Sequence, residues 1–365
     1  MIAKFHKSDR GLALAVSLLV GLALVTLTDA QSQTQSTGAK MDKPDAAKGV
    51  WAVRFEPVGD FSPRTPGEFL ARIHIYSGQH GEIGYFRTKK QGNRLIGSFL
   101  ASDVKDRFGS SHARLAELIP FAARLALECI GNSDALYHNV EHTMLVTLAG
   151  HDIFKGRALL KPSTPADYSN FIVACLAHDI GYVRGILNGD KDGSYVVDAT
   201  GRTISLPRGS SDAALAPYHV ERSQLFVLER IASVDELDSA RIAQTIGFTR
   251  FPYASPPDQQ GVDEEGALLR AADLVGQLGD PHYLRKANAL YCEFEEIGMN
   301  KQLGYESPAD IVDKYPQFYW NKISPYIQAA IGYLNVTSSG RQWIAGLYSN
   351  VFRAERELHL SGPQA

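Results

Sequence analysis

Apolar positions change their spacing twice along this 365-residue chain. From Leu12 to Leu27 they run almost unbroken, relieved only by Ser17, Gly21 and Thr26. Lys4, His6, Lys7 and Arg10 stand in front of the run. A basic head before a short apolar stretch is the layout of an export signal, and the run falls short of the about 20 residues that a spanning helix needs. Residues 1–30 are therefore expected to be a signal peptide cut near Thr28-Asp29-Ala30, or a membrane anchor if left uncut. From Gln31 to Lys48 no periodicity remains, and Gln, Ser, Thr and Lys dominate, which predicts a flexible linker over 31–48.

Residues 49–104 read as a small β-rich region. Trp51-Ala52-Val53-Arg54-Phe55-Glu56 alternates as a half-buried strand does. Thr65-Pro66-Gly67-Glu68 has the form of a capping box and predicts a short helix over Phe69–Ile73. His74–Tyr76, Ile83–Phe86 and Leu95–Leu100 predict short strands parted by Gly-rich turns. His74 and His80 have no partner ligands nearby in the chain and are read as structural. From about Ser111 the period becomes helical: Leu115, Leu118, Ile119, Ala122, Leu125 and Ile130 recur at steps of three and four. Residues 105–360 keep that character, with the longest break from Asn188 to Pro217. An irregular stretch of that length inside a compact domain is often functional. The expected fold class is mainly α, a helical bundle preceded by the small β-rich region.

Composition narrows the function classes. Hydrophobic residues are 44% and charged residues 21%, which fits a folded globular chain. The formal charge is −3, from 37 basic and 40 acidic residues, so nothing points to a nucleic-acid polymer as partner. Three cysteines, Cys129, Cys175 and Cys292, are too few for a disulfide scaffold.

Three clusters carry candidate chemistry. His138 and His142 are four residues apart in Tyr137-His138-Asn139-Val140-Glu141-His142, which on a helix turns both rings to one face. His178-Asp179 closes the apolar run Phe171–Ala177, where a buried carboxylate needs a compensating charge. Asp273 interrupts a second apolar helix, Ala267–Val275. Two imidazoles and two carboxylates on buried helices suit one or two divalent ions such as Zn, Mn or Mg. Each piece alone has a plainer explanation, a packing salt bridge to Arg270 for Asp273 above all. His151-Asp152 repeats the doublet, but His151 follows His142 by nine residues, on the opposite face of a continuous helix.

The ordered set resembles the HD metal-dependent phosphohydrolase superfamily. Tyr137-His138-Asn139-x-x-His142 and the 36-residue interval to His178 are similar to the class I cyclic-nucleotide phosphodiesterase catalytic domain. The resemblance covers about 110–335. It implies that His142, His178, Asp179 and Asp273 ligate metal, and that His138 is the general acid. The implied activity is hydrolysis of a cyclic nucleotide or related phosphodiester by metal-activated hydroxide. Phe318 matches the family's aromatic base clamp, and Gln317 stands near the position of its glutamine, which is Tyr315 here. Two motifs depart from the family: Thr143-Met144-Leu145-Val146 follows His142 in place of AxDV, and Tyr182 replaces the second histidine of HDxxHPG. His219 is a candidate additional ligand or supporting group. A mononuclear nucleotide phosphomonoesterase and an inactive nucleotide-binding module remain as alternatives. The expected partner is a small phosphoester or nucleotide, with membrane contact only through an uncut N-terminus. A working signal places the domain outside the cytoplasm; without one the protein is cytoplasmic. The sequence sets no oligomeric state.

Overall fold

The computed structural model describes residues 2–6, 50–57, 68–77, 80–109, 112–191, 193–251 and 264–360. The apolar run 12–27 and the 31–48 stretch lie outside the described residues. Among those described, no helix is long and apolar enough to cross a membrane. The protein is mainly helical, and it divides into two compact units, residues 1–124 and 125–365.

The first unit holds an antiparallel sheet of β1 (Ile2–His6), β2 (Val50–Pro57), β3 (Glu68–Ser77) and β4 (His80–Thr88), paired in chain order. Two expectations are corrected here. The helix expected over Phe69–Ile73 is part of β3, which pairs with β2 on one edge and β4 on the other. Its sequence alternates through Arg72-Ile73-His74-Ile75, and ladders on both edges outweigh a local cap worth about 1 kcal/mol. The strand expected over Leu95–Leu100 lies inside α1 (Lys89–Phe108). Ile96, Leu100, Ala101 and Val104 are buried at helical spacing, a period too long to show within six residues. The division between the units falls inside α2 (Ala113–Ile130).

In the second unit, local signals start the helices that matter. Asn139 caps α3 (Val140–Leu160), its side-chain oxygen accepting from the amides of Glu141 and His142 at 2.9 and 3.3 Å. Thr164 and Asp167 form a capping box, with Pro165 opening α4 (Pro165–Ala177). A two-stranded hairpin of β5 (Tyr195–Val196) and β6 (Thr203–Ile204) follows, then α5 (His219–Arg230), α6 (Ser239–Ile246) and α7 (Glu265–Leu278). The rest is α8 (Ala287–Glu296), α9 (Met299–Leu303), α10 (Pro308–Phe318), a π-helical turn Tyr319–Ile323, α11 (Ser324–Asn335) and α12 (Ser338–Leu360).

Glycines let α3 lie close to its neighbours. A Cβ at Gly150 would stand 2.6 Å from Cys175 Sγ on α4, and one at Gly276 of α7 would stand 2.7 Å from the Val146 backbone. These contacts draw α3, α4 and α7 together, and those helices carry or adjoin His142, His178 and Asp273.

The Asn188–Pro217 break is pinned from beneath. Arg222 of α5 is fully buried and donates to Gly181 O at 2.7 Å, Val183 O at 2.8 Å and Asp190 Oδ2 at 2.9 Å. One guanidinium thus ties the turn after Asp179 and the start of the break to α5. Removing one partner of a buried ion pair strands the other and costs about 3–5 kcal/mol. Arg222→Ala is expected to lose about that much unfolding free energy in a urea titration; an unchanged midpoint would remove this anchor from the account.

Candidate metal centre

His142 enters in the first turn of α3, set there by the Asn139 cap. His178 is the C-cap of α4, and its Nδ1 bonds the Cys175 carbonyl at 2.9 Å, which leaves Nε2 with its lone pair outward. Asp179 follows directly, and Asp273 projects from α7. Four atoms converge. Asp179 Oδ2 lies 3.2 Å from His142 Nε2 and 3.1 Å from His178 Nε2. Asp273 Oδ1 lies 3.3 Å from His142 Nε2 and 3.7 Å from His178 Nε2.

Proximity here is not hydrogen bonding. His142 Nε2, His178 Nε2 and Asp179 Oδ2 are buried and have no hydrogen-bond partner of acceptable geometry. Buried polar atoms left so are rare and costly. Burial disfavours a proton on His142, but Asp179 and Asp273 outweigh it and raise its pKa to about 10. His178 is raised too, against the same burial, chiefly by the charge of Asp179. Burial likewise opposes charge on Asp179, and the two imidazoles hold it well below the usual carboxylate range. Two carboxylates thus demand positive charge at one buried point. A divalent ion supplies it and satisfies all three orphan atoms, and a set of two imidazoles and two carboxylates suits borderline ions such as Zn or Mn. His142, His178 and Asp273, and separately His138, His142 and Asp179, each bring donor atoms within 4.8 Å of one another, so these residues can hold a metal ion.

His138 arrives by a route different from the expected one. Asn139 is the N-cap, so His138 precedes the helix, and the argument from helical spacing does not apply to it. Glu293 of α8 places it. That carboxylate accepts from the amides of Tyr137 and His138 at 2.6 and 3.2 Å and meets His138 Nδ1 at 2.5 Å. Burial works against a charged Glu293, but His138 and the two amides hold its pKa below the ordinary value. The His138 ring lies 5.3 Å from that of His142 and stacks on Tyr182 at 4.6 Å and 12°.

Tyr182 stacks on His219 in turn, at 4.5 Å and 22°. His219 is the first residue of α5; its Nδ1 bonds Ala216 O at 2.5 Å, and its Nε2 stands 3.7 Å from Asp179 Oδ1. The other candidates lie elsewhere. Phe318 packs edge-to-face on Phe251 at 6.4 Å and Gln317 is exposed; the described contacts of the His/Asp cluster include neither. Tyr315 is buried against Tyr283 at 5.0 Å. Arg270 lies over the Tyr326 ring at 4.6 Å. The second doublet is tied into packing: His151 meets Tyr168 Oη at 3.0 Å, while Asp152 accepts from Ser339 Oγ at 2.6 Å and Trp343 Nε1 at 2.9 Å.

Glu293 is the functional group that reading the sequence missed. Its signal was faint: Ala287, Leu290 and Glu293 are buried at steps of three, which puts a carboxylate on an otherwise apolar stripe.

No curated protein and no solved structure matches this chain significantly. One family model does match, across residues 92–357, and that span contains the whole His/Asp cluster together with His138, Glu293 and His219. The chain belongs to the Npun_R2479-like family.

Proposed function

We propose that the protein is a metal-dependent phosphohydrolase of the HD type, acting as a phosphodiesterase on a cyclic nucleotide or a related small phosphodiester. The observation that carries this reading is the convergence of three buried, unbonded donor atoms and Asp273 beside a histidine backed by a carboxylate. His142, His178, Asp179 and Asp273 would hold the ion. When bound, a divalent ion supplies Lewis-acid neutralisation of phosphoryl charge and lowers the pKa of water from about 15.7 to about 7. His138 delivers a proton to the leaving oxygen, and Glu293 keeps the ring's Nδ1 engaged so that the other nitrogen faces the reaction. Tyr182 and the Glu293 bonds fix the plane of that ring, so the proton is delivered from one direction.

A specific observation favours a second reading, a mononuclear nucleotide phosphomonoesterase. The donors surround one point, and the Tyr182 ring fills the space between His138 and His219. The base-gripping amide of a cyclic-nucleotide enzyme has no counterpart at the buried Tyr315.

Elemental analysis of the chain purified without chelators separates them. About two ions per chain support the diesterase, and about one supports the monoesterase. Failure to take up added Zn, Mn or Mg sinks both and leaves a domain that binds without cutting.

A further inference from the structure

Metal-ligating histidines are normally oriented through their second ring nitrogen. Three of the four imidazoles here are: His178 by Cys175 O, His138 by Glu293 and His219 by Ala216 O. His142 is not. Its Nδ1 is buried and has no partner. With Nε2 on an ion, Nδ1 carries the proton, and a buried donor left unmatched costs about 1–3 kcal/mol.

A small pocket of about 140 Å³ touches His142 together with Tyr137, Asn139, Glu141, Asp280 and Lys286. His178, Asp179 and Asp273 do not line it, so it meets the imidazole on the edge turned away from the metal donors. The pocket is polar on its far wall. Lys286 Nζ bridges Asp280 Oδ2 at 2.6 Å and Glu141 Oε1 at 2.9 Å, and the His282 amide fixes Asp280 Oδ1 at 2.9 Å. Burial disfavours the Lys286 charge, but the two carboxylates hold its pKa above the ordinary value. One ammonium against two carboxylates leaves acceptor capacity, and the space exceeds the about 30 Å³ that a water occupies.

We propose that this pocket is a water site completing the metal centre: His142 Nδ1–H donates to a bound water, which donates in turn to the Asp280 carboxylate. Asp280 is then a positioning residue for His142, acting through water. It is favoured over Glu141 because its side chain is 5% exposed, against 48% for Glu141. A buried acceptor cannot exchange its partner for bulk solvent. Lys286 holds the carboxylate in place.

The inference rests on the metal reading above, and the test keeps the two apart. Zn and Mn affinities of the full-length protein are measured by competition with a chromophoric chelator, with the thermal midpoint of the metal-free protein alongside. Uptake by the wild type establishes the metal reading first; no uptake overturns both. Loss of such an outer partner typically weakens metal binding roughly 10–100-fold. Asp280→Asn is expected to fall in that range, and so is Ala289→Leu, which fills the pocket without removing a charge. Asp152→Asn, a buried carboxylate bonded only within the packing network of Ser339 and Trp343, should shift the midpoint and leave affinity alone. Wild-type affinity in folded Asp280→Asn overturns the proposal; if that variant does not fold, wild-type affinity in Ala289→Leu overturns it.

Discussion

Asp179→Ala is expected to abolish metal uptake and drop phosphoester hydrolysis below detection. This carboxylate is the hub of the cluster, 3.2 Å from His142 Nε2, 3.1 Å from His178 Nε2 and 3.7 Å from His219 Nε2. It is also the more buried of the two acids, 5% exposed against 19% for Asp273. Without it one carboxylate remains to draw an ion between two imidazoles. Because a bound ion brings the pKa of water down by about nine units, its loss removes more than the roughly 10²–10⁴-fold that a general acid contributes. Metal content and turnover of a bis-ester are measured together, with circular dichroism to show that the variant folds. Hydrolysis at the wild-type rate by folded, metal-free Asp179→Ala would sink the metal mechanism. Asp152→Ala in the second doublet is the matched comparison, and it should lose stability and keep metal.

The part of the site legible in the sequence is the part that local chemistry determines. His178-Asp179 stood out because an apolar run does not end on a charge without a partner, and Asp273 stood out for the same reason. The face arithmetic that set His151 apart from His142 works because α3 is continuous through both. The same arithmetic misplaces His138, because Asn139 stops the helix one residue short of it. What seats His138 is Glu293, more than 150 residues away in the chain, and no local period reports a contact of that range. Arg222 is similar. From sequence it is one basic residue on an amphipathic helix, yet it is fully buried and organises the turn after Asp179 and the long break. In the first unit the errors run the other way. A capping pattern and a six-residue apolar run are strong local signals, and strand pairing on both edges of β3 and helical burial in α1 override them.

His138→Asn carries the second large effect, and its size should depend on the leaving group. An alkoxide or ribose oxygen departs only as it gains a proton, so loss of the donor is expected to cost roughly 10²–10⁴ in kcat. A nitrophenolate departs unaided, so a bis-nitrophenyl phosphate should be cleaved by the variant at close to the wild-type rate. Glu293→Gln should follow the same pattern more mildly. It keeps a side chain able to accept the Tyr137 and His138 amides but removes the charge that backs the imidazole. A purely structural role for the pair predicts something else, equal losses on both classes of substrate and a lower thermal midpoint. Equal losses with an unchanged midpoint would instead make His138 a substrate or metal contact. Its ring nitrogen lies close enough to the donor atoms of His142 and Asp179 for that to be the outcome to look for. Metal affinity then decides between those two: a ligand lost weakens it, and a proton donor lost does not.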